Sequence, residues 1–197
     1  MPAPSIRIVR KDILSEQFYR LSNVTFEQQR QDGTCQTEQR EVYESASGAA
    51  ALLYNRERGT VVLTRQFRIG AHLAGHDGFL LEAAAGMLDD ADPAERVRAE
   101  IREETGYDIA RVEKVLELFA SPSTITERVH YFLAEYAQSG RADEGGGKEE
   151  EGEDIEVVEI GFDEALRKVA SGEICDAKTV ILLQYLQLSG RMGAAQG

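Results

Sequence analysis

The segment DPAERVRAEIREETG, Asp92 to Gly106, constrains the fold more tightly than any other stretch of the chain. Asp92 is an acidic N-cap, Pro93 suits the first helical position because its missing N–H would be unpaired there anyway, and Glu95 completes a capping-box pattern. Gly106 is placed to stop the helix in the left-handed conformation. These signals predict a helix over Pro93–Thr105. With both ends set, the faces are set as well. Val97 and Ile101 form an apolar stripe, while Glu100, Glu103 and Glu104, at i, i+3 and i+4, fall within an arc of roughly 100°. A like-charged pair at that spacing costs about 0.2–0.5 kcal/mol unless positive charge lies between its members. Two arrangements relieve it. One is a divalent cation on oxygen ligands, for which Mg2+ or Mn2+ is suited. The other is a solvated face neutralised by Arg96, Arg98 and Arg102.

Around this helix, strand and helix patterns follow in mixed order. Residues 6–44 hold short alternating segments divided by the turn signal Asp32-Gly33, which predicts an antiparallel meander or hairpin. Residues 48–66 predict two apolar strands about a turn at Asn55–Gly59, followed by a glycine-rich loop, GAHLAGHDG. Further strands are expected at VLELFA, VHYFLAEY and IEVVEI. Helices are expected over Phe162–Val169 and at AKTVILLQYLQL. The segment QSGRADEGGGKEEEGED is too polar and glycine-rich for a core and is expected to be a mobile loop. The expected fold is α/β (α+β), an α/β/α sandwich in which helices cover a mixed sheet, with a small N-terminal antiparallel β appendage. A chain of 197 residues has room for this and little more. The expected division is a dimerisation region over 1–46, a main domain over 47–190 and a disordered tail over 191–197.

A net charge of −13 argues against a nucleic-acid partner, which needs a basic face. An acidic chain can still take a phosphate ligand through a divalent cation. No stretch approaches the ~20 apolar residues of a membrane span, and MPAPSIRIVRKD lacks the apolar block of a signal peptide. A cytoplasmic protein with no membrane partner is expected. Cys35 and Cys175 stand far apart with no ligand-spaced neighbour, so neither a disulfide framework nor a zinc site is expected. A small β appendage with exposed edges gains by pairing with its own copy, so a homodimer is expected.

With its flanks, LLEAAAGMLDDADPAERVRAEIREETGY resembles the Nudix box, Gly…Glu…Arg-Glu-apolar-x-Glu-Glu-x-Gly, through Gly86, Glu100, Ile101, Glu103, Glu104 and Gly106. Three departures stand out. The mid-box glutamate is Asp92, the arginine before the first metal-binding glutamate is Ala99, and the spacing from the glycine is one residue short. Arg96 and Arg102 are the candidates to do the missing arginine's work. The resemblance covers nearly the whole chain and narrows to the dimeric pyrophosphatases of the ADP-ribose and GDP-mannose branch. It is carried by KDILSEQFYRL, QREVYE, VVLTRQFRIG, LELFASP, YFLAEY, the GGG-acid loop, EDIEVVEI and GEICDAKTVILLQYLQ, and it is nearest the GDP-mannose side.

The resemblance implies roles for particular positions. Glu100 and Glu104, with the backbone carbonyl of Ala85, would hold Mg2+, with Mn2+ as the alternative, and Glu103 would complete the cluster. Glu153 would be a further ligand or the general base, with Glu150 and Glu151 as rivals in the same acidic run. Arg68 and Gly86 would meet the substrate. Phe18, Arg40 and Glu41 would reach the nucleotide, in this branch from the other subunit, with Phe18 replacing the family's tyrosine. Ser121-Pro122-Ser123-Thr124 stands where relatives have Ser-Pro-Gly-Gly, which would narrow the approach to the sugar. The implied activity is hydrolysis of a nucleotide sugar, foremost GDP-mannose to GMP and mannose 1-phosphate. Hydrolysis of ADP-ribose or another nucleotide sugar is one alternative, and a non-catalytic nucleotide-sensing domain is another.

Overall fold

A computed structural model describes residues 5–88, 91–148, 150 and 152–193. The chain divides into two compact units. One runs to Ser47 and includes Leu118–Val129; the other comprises Gly48–Glu117 and the chain from His130 onward.

The first unit is built on a three-stranded antiparallel sheet in which β1 (Ile6–Glu16), β2 (Arg20–Gln29) and β3 (Cys35–Glu44) lie in sequence order. The meander expected from the alternating pattern is present, and its second turn is at Asp32-Gly33, where the Asp32 carboxylate accepts from the Thr34 N–H at 2.9 Å. β1 is an edge strand, and Ile6, Ile8, Val9, Ile13 and Leu14 on it are exposed. The turn at Ser121–Thr124 joins β3 within this unit, the Tyr43 N–H donating to the Thr124 carbonyl at 2.7 Å.

The second unit is organised about β4 (Gly48–Asn55), every residue of which is buried. β4 and β5 (Thr60–Phe67) form the expected hairpin and lie in a seven-stranded mixed sheet. Along its main path the order is β10-β5-β4-β9-β8, where β8 is Glu113–Phe119, β9 is Arg128–Glu135 and β10 is Glu156–Gly161. A run of Ala49, Ala50 and Ala51 lets helices approach both faces of β4 closely. On one face Ala49, Ala51 and Leu53 share a core with Val97 and Ile101 of α2 (Pro93–Thr105). On the other, reached by the period-two alternation of the strand, pack α4 (Ala177–Leu188) and beside it α3 (Phe162–Ser171). Leu182, Leu183 and Leu186 of α4 are fully buried. This is the expected α/β/α sandwich.

Four details differ from the reading of the sequence. The loop GAHLAGHDG begins with a one-turn helix, α1 (Ile69–Leu73). The apolar run before the Nudix-like segment forms two four-residue strands, β6 (Phe79–Glu82) beside β5 and β7 (Ala84–Met87) beside β4. The alanines and glycine of β7 have poor strand propensity, so its neighbour β4, not local preference, sets its conformation. The glycine-rich loop is not free of the fold: its described part is hydrogen-bonded to the end of α2. At the start of the expected tail, Arg191 forms a two-pronged ion pair with Glu113 at 2.7 and 2.9 Å; residues 194–197 lie outside the described residues.

Ile101 is fully buried between α2 and β4. Ile101→Ala is expected to destabilise the protein by about 2–5 kcal/mol, seen in guanidinium denaturation as a lower midpoint at unchanged slope.

Candidate active site

Helix α2 begins and ends where its caps dictate. The Asp92 carboxylate accepts from the N–H groups of Ala94 and Glu95 at 2.9 and 3.2 Å, and Gly106 closes the helix at φ 74°. The register fixed by these ends turns Val97 and Ile101 into the core and carries Glu100 and Glu104 under β7. Glu104 is 2% exposed and Glu100 6%. β7 meets them with the residues best able to approach. The Ala85 backbone lies near enough to the Glu104 carboxylate to favour its charged form, and a Cβ at Gly86 would overlap the carboxyl group of Glu100. Any side chain at residue 86 would therefore displace Glu100.

The missing box arginine has a replacement. Arg96, one turn before Glu100, forms an ion pair with its carboxylate and donates from Nε to the Met87 carbonyl at 3.3 Å. It ties α2 to β7 at the point where the carboxylate is buried. Arg102, the other candidate, turns away to Asp143 at 3.2 Å.

The loop after β9 closes the C-terminal end of α2. The N–H groups of Gly146 and Gly147 donate to the carbonyls of Glu104 and Glu103 at 2.9 and 3.0 Å, and the Ala142 N–H donates to the Gly106 carbonyl at 2.8 Å. Carbonyls that a helix end leaves unpaired are satisfied in this way. Gly145 has φ +69°, and a Cβ there would stand 2.6 Å from the Thr105 carbonyl carbon, so glycine is required for the close approach. Beyond the glycines, Lys148 pairs with Glu103 at 2.9 Å, and its backbone N–H donates to the Glu153 carboxylate at 2.8 Å. Glu153 is thus turned inward, close enough to Glu100 and Glu104 to raise the proton affinity of both. Glu150 is exposed, and Glu151 lies outside the described residues.

Arg68 enters from the end of β5. Its guanidinium is held by Glu82, 2.8 Å from Nε and 2.7 Å from Nη2, and its charge favours the ionised form of Glu104. Glu82 is itself buried and also faces Lys178 at 3.8 Å. Glu82 was missed as a site residue by sequence reasoning. Its signal was an acid inside the otherwise apolar run FLLEAAAG. Lys148 was missed as well, since it reads as one charge in a charged loop.

Phe18, Arg40 and Glu41 belong to the first unit. Phe18 is 77% exposed in the β1–β2 turn, edge-on to Tyr19 with ring centroids 4.7 Å apart. Arg40 and Glu41 are exposed on β3, opposite Val24 and Asn23 of β2. Arg40 pairs with Glu38.

The second unit thus gathers Ala85, Gly86, Glu100, Glu103, Glu104, Glu153 and Arg68. Among the described residues, no three acidic, imidazole or thiol side chains form a ready-made cation cage. Arg96 and Lys148 take up Glu100 and Glu103. The group nevertheless fits a hard divalent cation. Every candidate ligand is an oxygen, and Oε2 of the buried Glu104 carboxyl has no hydrogen-bond partner. Burial, then repulsion from Glu100 and Glu153, pushes the Glu104 carboxyl well above the usual range against the pull of Arg68 and the Ala85 backbone. Burial also raises Glu100, opposed first by Arg96.

The folded chain therefore holds protons that the unfolded chain releases. Without cation, its stability falls as pH rises from the ordinary carboxylate range through the raised folded values. A cation competes with those protons, so its stabilisation grows over the same window. The gain in Tm on adding Mg2+ is expected to grow as pH rises from the ordinary carboxylate range towards about pH 8. A gain in calorimetry that stays constant over that whole range would count against Glu100 and Glu104 as the ligands.

Comparison with known proteins agrees with this geometry. Residues 44–180 match the NUDIX domain model, and residues 5–43 match the model described as the GDP-mannose pyrophosphatase NudK N-terminal domain. The chain is 51% identical over 189 residues to a GDP-mannose pyrophosphatase of Cronobacter sakazakii, covering 95% of this chain and 98% of the relative. It is 50% identical over 189 residues to one of Klebsiella pneumoniae, at 95% and 94% coverage, and 47% identical over 190 residues to one of Salmonella arizonae, at 96% and 98%. A crystal structure of an ADP compounds hydrolase superposes with a TM-score of 0.68 over 95% of this chain and 96% of that one; at 16% identity the likeness is one of fold. With its box on a capped helix and a family model matching most of its length, the chain belongs to the Nudix hydrolase family.

Proposed function

We propose that this protein hydrolyses the diphosphate bond of GDP-mannose, giving GMP and mannose 1-phosphate, in a Mg2+-dependent reaction. The observation that carries this reading is the joining of two things in one chain. Relatives about half identical over 95% of its length are GDP-mannose pyrophosphatases, and the buried Glu100–Glu104 pair under β7 retains an oxygen with no partner.

Hydrolases of this family generally depend on a divalent cation. Glu100, Glu104 and the Ala85 carbonyl would hold it, with Glu103 and Glu153 beside them. When bound, such a cation neutralises charge on the diphosphate and lowers the pKa of water at the site. The protein's own groups do the rest. Arg68, oriented by Glu82, offers two guanidinium N–H donors to a phosphate oxygen. Glu153, turned inward by the Lys148 N–H, is placed to accept the proton of the attacking water. The buried position of Glu100 and Glu104 under β7 keeps solvent from the ligands.

Exposure of five large aliphatic residues on the β1 edge supports a symmetric dimer through the first unit. Phe18, Arg40 and Glu41 of that unit would then contact the nucleotide. Among the described residues no helix is long and apolar enough to cross a membrane, which accords with a cytoplasmic location.

Phosphate released by an added phosphatase, measured across GDP-mannose, GDP-glucose, ADP-ribose and NADH with Mg2+, is expected to favour GDP-mannose. A preference for ADP-ribose would move the assignment within the branch, and no turnover of any of them would favour a nucleotide sensor. In the same assay Glu153→Gln is expected to lower kcat about a hundredfold or more, whereas Glu150→Gln and Glu151→Gln leave it near normal. Light scattering is expected to give the mass of a dimer; a monomer mass at all concentrations would remove the roles of Phe18, Arg40 and Glu41 across subunits.

A further inference from the structure

Between β6 and β7 the chain changes partners. Glu82, the last residue of β6, is opposite Thr64 of β5, and Ala84, the first of β7, is opposite Ala51 of β4. Ala83, between them, is buried and belongs to neither strand. Its N–H still needs an acceptor, and it donates to the Thr179 hydroxyl at 2.7 Å. That hydroxyl is fixed in turn. Thr179 is fully buried in the first turn of α4, and it donates through Oγ1 to the Asp176 carboxylate at 2.7 Å. The same carboxylate oxygen accepts from the Thr179 N–H at 2.9 Å. One hydroxyl thus accepts from Ala83 and donates to Asp176, so neither partner is free to turn.

We propose that Thr179, oriented by Asp176, is a positioning residue for the cation site, setting the strand switch that places Ala85 and Gly86 against Glu104 and Glu100. One residue, Ala84, separates Ala83 from Ala85, and the next, Gly86, passes so close to Glu100 that a Cβ there would overlap its carboxyl group. A displacement at Ala83 is therefore carried along a short strand to the backbone that meets both carboxylates. A second strut starts from the same turn: Lys178 lies 2.7 Å from Asp176 and 3.8 Å from Glu82, the acid that holds Arg68. Helix α4, which contributes no ligand, thereby fixes the backbone between two elements that do. This rests on Ala85, Glu100 and Glu104 being the cation site.

The test measures Mn2+ binding to the substrate-free full-length protein from the electron paramagnetic resonance of the free ion, with circular dichroism and Tm recorded alongside. Thr179→Val keeps the shape and removes the hydroxyl; Thr179→Ser keeps the hydroxyl. Valine is expected to weaken Mn2+ binding about tenfold or more and serine to restore it to within about twofold, as for other groups that orient metal ligands. In turnover, valine is expected to raise the Mg2+ requirement while leaving the KM for the nucleotide sugar unchanged at saturating Mg2+. A valine variant that binds Mn2+ as tightly as the wild type, with only its Tm lowered, overturns the proposal, as does a serine variant as weak as valine. Should valine not fold, Asp176→Ala decides. It removes the oxygen to which the Thr179 hydroxyl donates, and unchanged Mn2+ affinity there overturns the proposal. A wild-type protein that binds no Mn2+ overturns the cation-site reading itself, and this inference with it.

Discussion

Burial of the Glu100 and Glu104 carboxylates beneath one short strand is the constraint from which the rest of the second unit follows. An ionised carboxylate taken from water is strongly unfavourable unless paired or hydrogen-bonded. The two sit on one helix face, where Glu100 raises the proton affinity of Glu104. The surroundings answer this from several sides. Arg96 reaches back along the helix to Glu100, the Ala85 backbone supports Glu104, and Arg68 adds positive charge nearby. The small residues of β4 and β7 let α2 come close enough for these contacts. Oε2 of Glu104 remains without a partner, and that residual demand suits a small hard cation.

Much of this was legible in the residues. Helix α2 has the limits its caps announce, Pro93–Thr105, because Asp92 and Gly106 act through bonds within a few residues of themselves. Helix α4 matches its apolar run for a related reason: Thr179, Leu182, Leu183 and Leu186, at i, i+3, i+4 and i+7, form the stripe it buries. The clustering of Glu100, Glu103 and Glu104 followed from helical spacing, and the family resemblance implied a cation for it. What escaped had its cause elsewhere in the chain. Strands β6 and β7 are too short to declare themselves, β7 being rich in alanine as well, and they pair with the edges that β5 and β4 offer. Arg102, which at i+2 does not face Glu100, finds its partner in Asp143, forty-one residues away. Glu82 reads as an interruption of an apolar strand until Arg68 and Lys178 are seen on either side of it.

The position of α2's acidic residues also runs against the helix's own field. Glu103 and Glu104 are in the last turn, where the unpaired carbonyls already place negative charge. The glycine-rich loop offsets this with backbone N–H groups from Gly146 and Gly147 and with the ammonium of Lys148. Of the three successive glycines, which in isolation suggest only freedom, Gly145 passes the helix end where a Cβ would strike its backbone, and Gly146 and Gly147 bring N–H donors onto it.

That same loop returns on itself at the far side. The Glu153 N–H donates to the Lys148 carbonyl at 3.2 Å, the Ile155 N–H donates to the Gly146 carbonyl at 3.2 Å, and the Glu153 carboxylate accepts from the Lys148 N–H. The two ends of the acidic run are thereby stapled together at its base. The position of Glu153 is thus tied to Lys148 and Gly146 by bonds at the base of the run, so that the length of chain between Lys148 and Glu153 is not what sets it.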